Sequence, residues 1–269
     1  MLKDITLGQY FPGNSPVHRL DPRTKLICVI LYIVALFLAK GFLTYGIVFL
    51  VLALSVKISG VGVKALLRGM KPVLFILIFT GVLNLFYATG EITLFELGFL
   101  KITTDGVKTA FFMVIRIMML ISGTFLLTYT TSPIALTDGL ELLLNPLKKL
   151  KVPVHDLSMM MSIALRFIPT LIEETDKIMS AQKARGADFD SGSMLDKAKA
   201  MVPLMVPLFV SAFRRADELA TAMECRCYHG GEGRTRLHQL RYSRQDYLVL
   251  RLFLLLVAGI ALLGSFCKL

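Results

Sequence analysis

The 269-residue chain is 55% hydrophobic and 18% charged, with a mean hydropathy of +0.67, above the balance of a soluble domain this size. Its charges avoid five long apolar runs and gather between them, as in a polytopic helical membrane protein, which excludes a collagen, a disordered chain and a disulfide-stapled secreted module. Two of the four cysteines, Cys28 and Cys267, lie in or at the edge of apolar runs, and Cys225 and Cys227 are two residues apart, so no disulfide framework forms. The net charge of +11 fits nucleic acid, anionic lipid or a positive-inside bias until the charges are located.

In chain order, Leu26 to Ala39 is the first apolar run, and Lys40-Gly41 separates it from a second, Phe42 to Val56, which together predict a helical hairpin. Fourteen helical residues reach only ~21 Å of a ~30 Å hydrocarbon core, so the first span must borrow flanking residues or thin the bilayer. Pro72 to Tyr87, Thr109 to Tyr129 and Tyr247 to Phe266 are the third, fourth and fifth spans. Between the third and fourth, Glu91 to Thr103 has strand-forming residues around Gly98, predicting a small hairpin outside the bilayer core. The N-terminus does not read as a cleavable signal, because its apolar stretch begins at residue 26 and continues into a second span.

The basic residues set an orientation. Lys3, Arg19, Arg23 and Lys25 precede the first span, and Lys57, Lys64, Arg68 and Lys71 join the second to the third. The opposite side carries Lys40, Lys101 and Lys108. The positive-inside rule therefore places the N-terminus in the cytoplasm, and five spans leave the C-terminus outside. The segment from Thr130 to Asp246 falls on the cytoplasmic side and holds sixteen of the thirty basic residues. The charge excess is thus mostly cytoplasmic and gives no independent case for nucleic acid.

That segment is itself helical. Ser132-Pro133 is an N-cap and first-turn pair for a short helix through Leu144. A second helix is predicted from about His155 to Arg185, bent near Pro169, and a third from about Met194 to Arg226. Both carry apolar stripes at spacings of three and four, through Leu157, Met161, Leu165, Ile168 and Ile172 in one and Met201, Met205, Phe209, Phe213 and Leu219 in the other. Each stripe must be buried against its twin, the membrane domain or another protein.

The two helices end in a small repeat. Ala181-Gln-Lys-Ala-Arg185-Gly186 and Ala222-Met-Glu-Cys-Arg226-Cys227 each place an arginine four residues after an alanine, on the apolar side of the helix if the helix persists that far. An arginine at such a tip offers a planar fork to carboxylates or carbonyls of a partner. Equally, a cation near a helix C-terminus complements the dipole and Gly186 caps.

The motifs taken together resemble those of the transmembrane T component of energy-coupling factor (ECF) transporters. They are Gly8-Gln-Tyr, His18-Arg-Leu-Asp-Pro-Arg-Thr-Lys25, Thr131-Ser-Pro-Ile-Ala-Leu-Thr-Asp-Gly139, Ala164-Leu-Arg-Phe-Ile-Pro169, Ala181 to Gly186, and Arg214-Arg-Ala-Asp-Glu218 through Gly230-Gly-Glu-Gly-Arg-Thr235. The resemblance spans nearly the whole chain. It implies a bacterial or archaeal cytoplasmic membrane and two partners: a pair of ABC-type ATPase subunits and a membrane-embedded substrate-binding S component. It also implies that the cytoplasmic helices are coupling helices whose Ala-Arg-Gly tips seat in the ATPases. Ala184, Arg185 and Gly186 match that motif, whereas Cys225, Arg226 and Cys227 keep only the arginine. Cysteine is small enough to replace alanine, but Cys227 enters left-handed backbone less cheaply than glycine.

Other constellations weigh less. Cys225, Cys227 and His229 lack the fourth ligand and the spacing of a zinc site, so no metal is expected. Gly230 to Thr235 has the glycines of a phosphate loop without its lysine, and no Gly-Lys pair occurs anywhere, so this chain is not expected to hydrolyse ATP and a turn is expected here; the resemblance implies ATP hydrolysis in the partner subunits. Arg116, inside the fourth span, is a functional candidate because intramembrane charge is costly, and packing or snorkelling explains it as well. No acidic residue sits within a span, which disfavours a self-contained ion-coupled carrier, the alternative function. His18, His155, His229 and His238 form none of the pairings of an intramembrane enzyme.

The sequence thus predicts an all-α polytopic membrane protein with about five transmembrane helices and long amphipathic cytoplasmic helices. Its expected parts are residues 1–131 as a four-span membrane domain, 132–246 as the cytoplasmic coupling-helix domain and 247–269 as the last span. The resemblance implies a non-catalytic coupling subunit without a cofactor, for vitamin or metal-ion uptake.

Overall fold

A computed structural model describes residues 10–87, 93–97, 100–189, 193–230 and 239–266. The expected turn at residues 231–235, His238 and Cys267 lie outside the described residues. The chain forms two compact units, residues 140–239 and residues 8–139 with 240–269.

In the second unit the helices are α1 (Pro16–Arg19), α2 (Pro22–Leu38), α3 (Phe42–Ser59), α4 (Val63–Met70), α5 (Leu74–Tyr87), α6 (Thr104–Thr130), the first half of α7 (Pro133–Leu144) and α10 (Arg244–Phe266). Four stretches among the described residues are long and apolar enough to cross a membrane: Phe42–Ser59, Val63–Leu85, Thr104–Thr130 and Arg244–Gly264. The expected third span thus begins nine residues earlier, because a 3-10 turn at Lys71–Val73 carries Pro72 and lets α4 run on into α5. The expected first span, α2, has 17 residues, about 26 Å against a ~30 Å core. The anticipated hairpin is present as β1 (Thr93–Leu97) paired antiparallel with β2 (Leu100–Thr103).

The core of this unit joins α2, α3 and α6 through Tyr32, Leu36, Val48, Leu52 and Met119, with Ile260 added from α10. Gly123 is where α6 meets α2: a Cβ there would come 2.6 Å from the Tyr32 ring. Tyr32 Oη, so placed, donates to the Met119 carbonyl at 3.1 Å. Arg116 Nε donates to Tyr45 Oη at 2.8 Å, and its guanidinium lies over the Phe37 and Tyr45 rings at 5.6 and 5.8 Å, which is the packing alternative among the roles the sequence left open for it.

One end of the unit is tied by charged groups. Asp246, buried in the first turn of α10, accepts from the Asp21 and Ser243 amides at 2.9 and 2.7 Å and from the Ser243 hydroxyl. Asp21 caps α2 and holds Arg23 through both carboxylate oxygens, while Arg23 also donates to the Leu240 carbonyl and lies 4.1 Å over the Tyr242 ring. Lys25 Nζ donates to the carbonyls of His18 and Thr130. The motif from His18 to Lys25 is therefore a clasp joining α1, α2, α6 and α10.

In the first unit α8 (Val154–Ala184) and α9 (Met194–Glu224) dominate. Ser193 opens α9 with a capping box closed by Asp196. The contact units divide at 139/140 and 239/240 and join α10 to the N-terminal helices, whereas the sequence-based boundaries fall at 131/132 and 246/247.

Candidate functional site

The antiparallel pairing of α8 and α9 rests on contacts at three levels. Tyr228 Oη donates to Met159 Sδ at 3.2 Å, Ser211 and Arg215 both bond Glu174, and Gln182 Nε2 donates to the Pro203 carbonyl at 3.4 Å. The last contact has a local cause. Proline at 207 has no N–H to offer the carbonyl four residues back, so the Pro203 oxygen is left without its helical partner and Gln182 takes it. The middle contact carries charge: the Ser211 hydroxyl first, then the Arg215 guanidinium, hold the Glu174 carboxyl below its ordinary range.

The predicted stripe of α9 divides in two. Leu204 is buried and Leu208 and Ala212 half-buried, whereas Met201, Met205, Phe209 and Phe213 stay exposed, Phe209 by 56% and Phe213 by 74%. Val202, Val206 and Val210 widen that open face. An exposed apolar strip of this length marks an interaction surface.

Each helix ends in the same cap. At the first, the Gly186 amide donates to Lys183 and the Ala187 amide to Gln182, both at 3.0 Å. At the second, the Cys227 amide donates to Glu224 at 2.8 Å and the Tyr228 amide to Met223 at 3.1 Å. Both are Schellman motifs, with a left-handed residue at the position after the cap. Gly186 supplies it at φ +90° and Cys227 at φ +56°. The cysteine thus adopts the backbone that the sequence made costly, at about 1 kcal/mol.

The helices stop at Ala184 and Glu224, so Arg185 stands one residue and Arg226 two residues beyond the helical faces, not on them. Both arginines are exposed, as are Ala184, Gly186, Cys225 and Cys227. The structure brings each trio together at its own tip and keeps the two trios apart. Met159, beside the second tip, is 26 residues before Arg185, which places the tips roughly 40 Å apart along α8. Among the described residues no group of His, Cys, Asp and Glu could hold a metal ion. Sequence reasoning missed the Gln182–Pro203 tie and the Tyr228–Met159 contact, although Pro207 four residues after Pro203 is the signal for the first.

Comparison with known proteins bears on the same segment. The model of the family described as "Cobalt transport protein", CbiQ, matches residues 13–237. The chain is 55% identical over 249 residues to the energy-coupling factor transporter transmembrane protein EcfT of Ruminiclostridium cellulolyticum, covering 93% of each chain. It is 50% identical over 258 residues to the protein of that name from Bacillus subtilis, covering 96% of this chain and 97% of the relative. For the one from Lactococcus lactis subsp. cremoris the figures are 45% over 248 residues, 92% and 93%.

Proposed function

The chain belongs to the CbiQ family of energy-coupling factor transmembrane proteins, and from that premise we propose that it transmits ATP-driven movement from two ABC-type ATPase subunits to a membrane-embedded substrate-binding subunit, for uptake of a vitamin or metal ion. The observation that carries the reading is the pair of matching arginine tips at opposite ends of one antiparallel helix pair. Two equivalent anchors roughly 40 Å apart suit two soluble partners, one at each tip. The exposed face of α9 from Met201 to Phe213 suits the substrate-binding subunit, whose surface is itself apolar.

In this reading α2 also crosses the bilayer, giving five spans. It runs beside α10 from the Asp21–Asp246 clasp to the approach of Leu38 and Gly264, and α10 is long enough to cross. The basic loops support a cytoplasmic location for the clasp end, and the positive charge of the segment that carries the tips supports the same for it. Cys225 and Cys227 act as small replacements for the alanine and glycine of the first tip.

The test is purification from membranes with the partners retained. Two ATPase subunits and a substrate-binding subunit are expected to co-purify and to hydrolyse ATP as a complex, while the isolated chain binds no nucleotide. Saturable nucleotide binding by the isolated chain would contradict the reading.

A further inference from the structure

An apolar groove of about 760 Å³ opens in the helical unit between α2, α3, α6 and α10, with Pro16 and Val17 of α1 at one end. Its depth is legible from the four helices, because the lining residues run together: Lys25 to Tyr32, Ile58 to Val51, Thr130 to Gly123 and Gln245 to Leu256. Those stretches of 8 to 12 residues span roughly 11–17 Å, about half of a ~30 Å hydrocarbon core, which is one leaflet. The floor is the Tyr32 ring lying against Gly123, and the walls are Leu, Val and Phe side chains.

The clasp end of the groove differs from its walls. Lys25 lines it together with Pro16 and Val17 of α1, and the exposed cations Arg19, Lys57 and Arg244 are immediate chain neighbours of the lining residues Leu20, Ile58 and Gln245 there. The carboxylates at that end of the walling helices, Asp21 and Asp246, are both buried and turned inward onto Arg23 and the Ser243 and Asp21 amides. A slot of one-leaflet depth, hydrocarbon inside and cationic at the rim, matches an anionic phospholipid in both halves.

We propose that this groove is a phospholipid site, holding one acyl chain of an anionic phospholipid with its phosphate at the rim of Arg19, Lys57 and Arg244. The site stands on the membrane-spanning reading and is independent of the coupling role proposed for the arginine tips. It belongs to the leaflet that meets the clasp.

The chain contains no tryptophan, so single tryptophans report local acyl chains without background. Phe253→Trp and Leu256→Trp place the reporter in the groove, and Phe49→Trp places it on the exposed outer face of α3. The full chain is reconstituted in phosphatidylcholine vesicles, and brominated-acyl phosphatidylglycerol or brominated-acyl phosphatidylcholine is titrated in. The groove reporters are expected to be quenched at a lower mole fraction of the phosphatidylglycerol, by about fivefold for each cation engaged. Phe49→Trp should respond to both lipids alike. Adding Arg19→Gln, Lys57→Gln and Arg244→Gln together should remove the preference while leaving quenching at high lipid fraction. Quenching of both groove reporters in proportion to the bulk fraction of either lipid overturns the proposal. So does a failure of either lipid to quench them, which would mean that protein fills the groove.

Discussion

Gly186 and Cys227 occupy the same place in the same cap, 41 residues apart in sequence and at opposite ends of a helix pair, with φ of +90° and +56°. One is free to adopt the left-handed backbone, and the other adopts it against the preference of a side chain. The tip geometry is therefore kept where the sequence motif is not.

Restoring glycine should relax that strain. Cys227→Gly, alone or with Cys225→Ala, is expected to stabilise the second tip by about 1 kcal/mol and to preserve or improve transport in reconstituted vesicles. Gly186→Val should do the reverse at the first tip, since space is open there and only the backbone resists. A large transport loss in the double cysteine variant, with the complex still assembled, would give the thiols a role of their own.

Removing either arginine should weaken partner engagement without unfolding the chain, because both side chains are exposed. Arg185→Ala and Arg226→Ala are each expected to cost on the order of 2 kcal/mol of interface energy, about thirtyfold in affinity. Co-purification of the ATPases and uptake in vesicles measure this directly. Normal values for both variants would remove the tips from the mechanism.

The midpoint of the α8–α9 pair should respond to acid. The folded Glu174 carboxyl is held below its ordinary value by Ser211 and Arg215. A depressed folded pKa contributes stability that is present above the unfolded value of about 4.3 and is lost as pH falls through the folded one. Amide exchange along α8 near Glu174, corrected for its intrinsic pH dependence, should therefore rise below that range. Glu174→Gln should flatten the response, and an unchanged response would place its origin elsewhere.

Gly123→Ala tests the floor of the groove. The added Cβ must displace the Tyr32 ring from 2.6 Å, costing about 1–3 kcal/mol by overpacking. Thermal unfolding of the detergent-solubilised chain is the measurement, and Gly123→Ala should cost less in a Tyr32→Ala background than in the unsubstituted chain if the clash is its cause.

Helix placement was legible because periodicity and caps agreed. Ser132-Pro133, the apolar stripe and the apolar runs put α7, α9 and α10 within three residues of where they stand. What escaped was whatever depended on partners distant in sequence. Lys25 and Arg23 read as part of the basic flank that sets the orientation, yet Lys25 spends its donors on two carbonyls and Arg23 binds Asp21. No local pattern ties Asp21 to Asp246, although Ser243-Arg-Gln-Asp246 has the spacing of a capping box. At the tips the sequence located both arginines, but their departure from the helical face depended on where the last turn stopped. For α9, periodicity gave the apolar stripe and not which half α8 would cover.

The clasp between Asp21 and Asp246 also sets an order of events during synthesis. The Asp21 amide finds its acceptor 225 residues further along the chain. At roughly 5–20 residues added per second, the wait is on the order of ten to forty-five seconds. Through that interval α2 must be held by α1, α3 and α6, with the amide of its cap Asp21 still waiting for its acceptor. The N-terminal end of the protein is thus completed last, when α10 arrives, so a chain truncated before Ser243 loses a fastening of its first long helix as well as its final one.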